Sequence, residues 1–268
     1  MLALLITTSL VYLLGKSETQ KQVVSQLKLP IYLREASGLT EINDNEILTH
    51  NDETGVIYKI NLSTHLISKL ATLGNPAIKA DFEGITLSGT DVFMVTSKGI
   101  LYRLKVSLSE PNQQVIPEII DTGLSAVCEI EGLAFDNDKL LLPCKTAYTK
   151  ENKKRLVVFA FDIRNRITTT LLSIPEDNLG KIKKRHPTAI DTDDDSYYLI
   201  AGLNLLVISK TDFSTKVFKL SKKNHSQPEG LAVLSNGQLV VVDDIKRGAS
   251  RVTTYSGLEQ LKATSQKK

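Results

Sequence analysis

Three glutamates are the residues of this chain best placed to do chemistry. Glu83, Glu131 and Glu229 stand in Phe82-Glu83-Gly84-Ile85, Ile130-Glu131-Gly132-Leu133 and Pro228-Glu229-Gly230-Leu231. Equivalent places in a repeat converge when the repeats surround an axis, and carboxylates gathered there repel unless something compensates them. A Ca2+ ion is one candidate, since it takes oxygen ligands alone, completed by water. Lys145 and backbone N–H groups are others. Zn2+ is poorly served, because the only histidines, His50, His65, His186 and His225, do not cluster in the pattern. Asn51, Asp52, Lys145, His186 and Asp243 are the further candidates for ligand binding. His186, just before Pro187, suits a general base or the fixing of a turn between repeats. No G-x-S-x-G elbow accompanies Ser37 or Ser97, so no nucleophile triad is legible. The competing reading of the glutamates is structural, with each tying its strand start to a neighbouring repeat.

The elements that must position these residues recur five times. Ala36-Ser37-Gly38-Leu39 and Pro187-Thr188-Ala189-Ile190 complete the set, with second residues at 37, 83, 131, 188 and 229. Such spacing is that of propeller blades. Each start leads through a turn such as Asn43-Asp44-Asn45 or Ser235-Asn236-Gly237 into a strand-like run. The residue 14 places on (Asn51, Ser97, Lys145, Gly202 or Asp243) always falls at the end of that run, which implies a hairpin of one register. Third strands are expected at 56–62, 100–106, 155–163, 204–210 and 251–256, and fourth strands at 65–72, 114–122, 167–174 and 214–220. The last repeat lacks a fourth strand, and Lys21–Leu29 is spare. The sequence therefore predicts an all-β, five-bladed β-propeller with four strands per blade, the last blade closed by the N-terminal strand. Closure of this kind removes an exposed sheet edge. Along each inner strand polar residues at the start give way to Leu39, Ile85, Leu133, Ile190 and Leu231.

Composition sets the outer limits. Residues 1–18 are expected to be a signal peptide or membrane anchor, 20–258 the propeller and 259–268 a polar C-terminal tail. Leu2–Leu14 is almost wholly apolar, too short for a comfortable span and of signal-peptide length. This implies an exported protein, periplasmic or anchored in the inner membrane. A net charge of +3 gives no reason to expect a nucleic-acid partner. Cys128 and Cys144 fall almost opposite each other in the hairpin centred on Asn137, so they form either a disulfide, in an oxidising compartment, or two buried thiols. Lysines and arginines fill the loops at the strand-start end, including Lys79, Lys150, Lys153, Lys154, Lys222 and Lys223. Such a rim would attract an anionic ligand or an anionic membrane surface.

Taken together and in order, Glu35-Ala36-Ser37-Gly38-Leu39, Asn51-Asp52-Glu53, Asp81-Phe82-Glu83-Gly84-Ile85, Glu131-Gly132-Leu133-Ala134-Phe135, His186-Pro187-Thr188-Ala189-Ile190 and Gln227-Pro228-Glu229-Gly230-Leu231-Ala232 resemble the SdiA-regulated, YjiK-like family of bacterial envelope proteins. The resemblance spans about residues 30–256 and implies a propeller whose biochemical role is not established. Such propellers are similar in turn to calcium-dependent lactonases and phosphotriesterases, which implies a metal role for Glu83, Glu131 and Glu229, with Asn51 and Asp243 beside them. The expected function is binding of a small, anionic ligand or a partner at the channel face, with a structural Ca2+. The alternatives are a Ca2+-dependent esterase, lactonase or phosphodiester hydrolase, and a protein-binding scaffold.

Overall fold

The computed structural model describes residues 25–179, 182, 186–245 and 248–263. The apolar run Leu2–Leu14, the first residues of the expected strand Lys21–Leu29, and Lys181, Lys183, Lys184, Arg185, Lys246 and Arg247 lie outside them. Five antiparallel sheets surround one axis. The first blade comprises, from the axis outward, Ala36–Asn43, Glu46–Asn51, Val56–Asn61 and Ile67–Leu73. The second comprises Phe82–Ser88, Asp91–Thr96, Ile100–Lys105 and Glu118–Asp121. The third has an inner strand in two pieces, Cys128–Ile130 and Ala134–Asp136, then Lys139–Ala147, Arg155–Asp162 and Ile167–Pro175. The fourth comprises Ala189–Thr192, Ser196–Ala201, Asn204–Ser209 and Thr215–Lys219. The fifth comprises Pro228–Val233, Leu239–Asp243 and Arg251–Tyr255, and its outermost strand is Ser25–Lys28 from the other end of the chain. Leu27 pairs with Val252 and Lys28 with Arg251, so the ring is closed as the repeat predicts.

Apolar alternation explains why the sheets stack. Each blade buries both faces against its neighbours, and the core falls into five clusters, one per interface. Phe93, Leu101, Leu142 and Phe159 join blades two and three, for example, while Leu33, Leu39, Ile47 and Val242 join blades one and five. Burial of this kind contributes about 25 cal/mol per Å2 of apolar surface.

Two expected elements differ. The run 114–122 is not one strand. Gln113–Val115 pairs in parallel with the outer edge of blade one, and Glu118–Asp121 completes blade two. Nor does the chain beyond residue 259 begin as a free tail, since Lys262–Ala263 pairs with Lys219 and Phe218 at the edge of blade four. Both departures cover sheet edges that would otherwise be open. Cys128 and Cys144 form a disulfide, with Cα atoms 5.7 Å apart. Among the described residues no helix is long and apolar enough to cross a membrane.

The axis itself is nearly closed. Gly38, Gly84, Gly132, Ala189 and Gly230 meet there, leaving a space of about 10 Å3, roughly one water. A Cβ on Gly84 would lie 2.6 Å from the Gly132 carbonyl carbon, and one on Gly230 would lie 3.1 Å from the Gly38 Cα. The repeated glycine is therefore what lets five inner strands approach backbone to backbone.

Candidate functional site

Above this plug, at the end where the inner strands begin, the repeated polar residues form a cup. The inner and second strands do not keep one register throughout, as the constant spacing suggests. In blades one, two and five the register shifts at the repeat start: Phe82 pairs with Thr96 but Gly84 with Val95, and Pro228 with Asp243 but Gly230 with Val242. Glu83 and Glu229 are the extra residues of these bulges, and a bulge re-aims its side chain. In blade three the shift falls on the other strand: Glu129 pairs with Thr146 and Ile130 with Cys144, leaving Lys145 as the extra residue.

Lys145 is the hub that results. Its Nζ bonds Glu131, which is almost fully buried, and lies 3.6 Å from Glu129 Oε1. Glu83 accepts a hydrogen bond from Ser37 Oγ at 3.1 Å and shares another with Glu131. Glu229 accepts from the Gln227 amide. Thr188 Oγ1 donates to the Pro228 carbonyl at 2.8 Å. His186 Nδ1 is 2.6 Å from the Lys145 carbonyl oxygen, to which it donates, and its ring is exposed.

The electrostatics follow from burial. Desolvation, then the charges of Glu131 and Asp81, push Glu83 up to about 10, with Lys145 and Ser37 pulling weakly the other way. Burial also raises Glu131, against the pull of Lys145. Burial lifts Glu229 to about 7, aided by Asp244 and Glu131 and opposed by Gln227. Burial works to lower the Lys145 ammonium, but Glu131, Glu129 and Glu83 outweigh it and hold it above the usual lysine range. Glu83 thus holds its proton far above the ordinary carboxylate range and shares a hydrogen bond with Glu131, on which the Lys145 ammonium sits.

A second acidic group adjoins the first across blades one and five. Burial, followed by Glu35, raises Asp52 to about 6, with Glu53 and Asp244 contributing. Its Oδ1 is buried without a hydrogen-bond partner among the described residues. Asn51 is spent locally, its Oδ1 accepting from Thr54 N at 3.1 Å and Thr54 Oγ1 at 2.9 Å.

The structure therefore gathers Glu83, Glu131, Glu229 and Lys145, with His186 attached through the Lys145 backbone. It sends Asp243 elsewhere. Asp243 is 1% exposed; its Oδ2 is 2.7 Å from His225 Nδ1, and its Oδ1 accepts from Ser226 N and Gln227 N. His225 Nε2 in turn meets Tyr255 Oη at 2.5 Å. The bulge at Glu229 causes this: Asp243 pairs with Pro228, and its neighbour Asp244 is the one that faces Glu229 and Gln227. Asp244, Glu129 and Gln227 are thus cup residues that the constant spacing passes over, although all three adjoin residues the repeat marks.

The sequence expectation for Glu83, Glu131 and Glu229 is a Ca2+ site. Lys145 already places an ammonium among these carboxylates, and among the described residues no three Asp, Glu, His or Cys side chains form a group that could hold a metal. As arranged, Lys145 takes the place among these glutamates that a Ca2+ ion would occupy. The basic loops lie outside the cup: Lys79, Lys150, Lys153, Lys154, Lys222 and Lys223 are all exposed.

No known family profile matches the chain, and no curated protein matches it in sequence. Solved structures do. Glutaminyl cyclase of Myxococcus xanthus matches with a TM-score of 0.56 at 12% identity, over 90% of this chain and 97% of its own. The PQQ-bound aldose sugar dehydrogenase of Streptomyces coelicolor matches at 0.53 and 13% identity, over 87% and 98%. A luciferin-regenerating enzyme matches at 0.53 and 10% identity, over 90% and 98%. These likenesses place the chain among β-propeller proteins by fold.

Proposed function

We propose that this protein is an envelope β-propeller, of the SdiA-regulated kind its motifs resemble, that binds a small polar ligand in the cup around Lys145. The observation that carries the reading is the concentration of desolvated carboxyl groups at one mouth. Burying them costs stability, and perturbed groups clustered in this way mark functional sites. The rim lysines suggest an anionic ligand, but they lie outside. The cup holds Glu83, Glu129, Glu131, Glu229, Asp52 and Asp244 against Lys145, so a ligand bearing positive charge and hydrogen-bond donors suits it better. Thermal-shift titration with cationic and anionic small molecules tests this. Stabilisation by cations, lost in Glu229→Gln, is expected; stabilisation by anions alone overturns it.

A second reading, hydrolysis, is favoured by the contrast between Glu83, protonated at neutral pH, and Glu229, which titrates near 7. Two carboxyls pushed apart in this way suit an acid and a base. Turnover of an ester and lactone panel, abolished in both Glu83→Gln and Glu229→Gln, is its test.

Export is supported by two independent features, the apolar run Leu2–Leu14 and the disulfide, a bond kept in oxidising compartments. Cell fractionation with N-terminal sequencing of the mature chain checks it.

A further inference from the structure

The opposite end of the propeller, where the hairpins turn, carries a cavity of about 770 Å3 between blades four and five. That is the size of a small-molecule pocket. Leu234 and Leu239, both almost fully buried, form its floor. Its walls carry Glu41, Asp193, Asp194 and Glu259, with no lysine or arginine among the lining residues.

These carboxylates are not alike. Glu41 is fixed across the blade junction, accepting from Ser235 N and Ser235 Oγ at 2.8 Å each. Asp193 is fixed within its own turn, accepting from Asp195 N, Ser196 N and the Tyr198 hydroxyl. Both hold their charge in place for reasons of fold. Asp194 and Glu259 are exposed at the rim, where Glu259 Oε1 accepts from Ser256 Oγ at 3.2 Å. Behind the wall stands Asp191, which accepts from Val233 N at 2.7 Å. Burial lifts it to about 7, with Glu41 and Asp193 adding to the rise. The potential in the cleft is therefore strongly negative, and it reaches a carboxyl that does not line it.

We propose that this cleft is a second ligand site, distinct from the cup, that takes a small organic cation: an amine or amidinium on a short apolar body. Asp194 and Glu259 meet the charge, while Tyr198 and Leu258 flank the body over the leucine floor. A bare metal ion suits it less, because the oxygens of Glu41 and Asp193 are already engaged and the floor is apolar.

Benzamidine is a suitable probe, with neutral benzamide as its control. Isothermal titration of the full chain should show saturable benzamidine binding that weakens with salt. Asp194→Asn combined with Glu259→Gln should raise the Kd by about tenfold without changing the melting temperature, since both side chains are exposed. Asp44→Asn, which removes an exposed carboxylate outside the lining, should leave benzamidine affinity unchanged. The proposal fails if benzamidine does not bind at millimolar concentration, if benzamide binds equally well, or if the double variant binds unaltered. It also fails if Asp44→Asn weakens binding as much as the double variant, which would make the effect one of net charge rather than of this cleft.

Discussion

Asp243, His225 and Tyr255 show how one buried side chain ties three segments together. The Asp243 carboxylate holds His225 and two backbone N–H groups, and His225 holds the Tyr255 hydroxyl. Replacing His225 by Ala leaves a buried carboxylate oxygen without its partner and takes one of two partners from the Tyr255 hydroxyl, at a cost of about 3 kcal/mol. Urea unfolding of His225→Ala measures it. Lys145 is expected to behave differently. Its side chain is 35% exposed, so Lys145→Met should cost about 2 kcal/mol once solvent screening is allowed for. The loss should be larger at pH 8 than at pH 5. Glu131 is already raised by burial and loses its partner in the variant, so the folded state holds a proton that the unfolded chain releases as pH rises, and stability falls in that direction. Asp191 has the same sign. Its folded value of about 7 exceeds the ordinary 3.8, so its contribution is lost as pH rises from about 4 through 7. Asp191→Asn should therefore gain stability relative to the parent between pH 5 and pH 8, a change visible in paired denaturation curves.

At the scale of elements, the inner strands and one cross-link decide most. Gly84→Ala sets a Cβ 2.6 Å from the Gly132 carbonyl carbon and the Leu133 nitrogen, both backbone atoms that cannot swing away. Blades two and three must separate, and a loss of about 1–3 kcal/mol is expected. Thermal melting of Gly84→Ala against Ala189→Gly, which adds no atom to the ring, tests the account. The disulfide closes a loop whose ends are separated by 16 residues. Cys128→Ser with Cys144→Ser should lower stability by about 3 kcal/mol on the chain-entropy argument, and the parent should match the variant once reduced.

For the whole molecule, closure through Ser25–Lys28 sets the end of the ring at which the chain enters. Ser25 pairs with Thr254 and Lys28 with Arg251, so the strand enters from the hairpin end, near Ser256 and Glu259, and runs toward the cup end. A chain held to a membrane by residues 1–18 would present the cup and its basic rim away from the bilayer. Accessibility of cysteines introduced at exposed Lys150 and Asp44 in intact spheroplasts or vesicles distinguishes the two ends. Greater labelling at Asp44 than at Lys150 would contradict the orientation.

The sequence by itself determined the architecture. A polar–Gly–apolar start repeated five times, each with a hairpin at constant distance, leaves little besides a five-bladed ring, and a missing last strand with a spare first one predicts its closure. The third-strand starts Val56, Ile100, Arg155, Asn204 and Arg251 coincide with those observed, because a two-residue alternation ending in turn residues is a local signal. It also located the cup, through Glu83, Glu131 and Glu229. Tertiary structure alone decided which neighbours joined them. A bulge shifts facing by one residue, so Asp243 turned inward to His225 while Asp244 reached the cup, and nothing in the spacing of 14 records that shift. Likewise only the folded ring shows that Lys145 stands among the carboxylates, that short strands cap the edges of blades one and four, and that an acidic cleft opens at the far end. Those are contacts between residues distant in the chain, and side-chain periodicity carries no information about them.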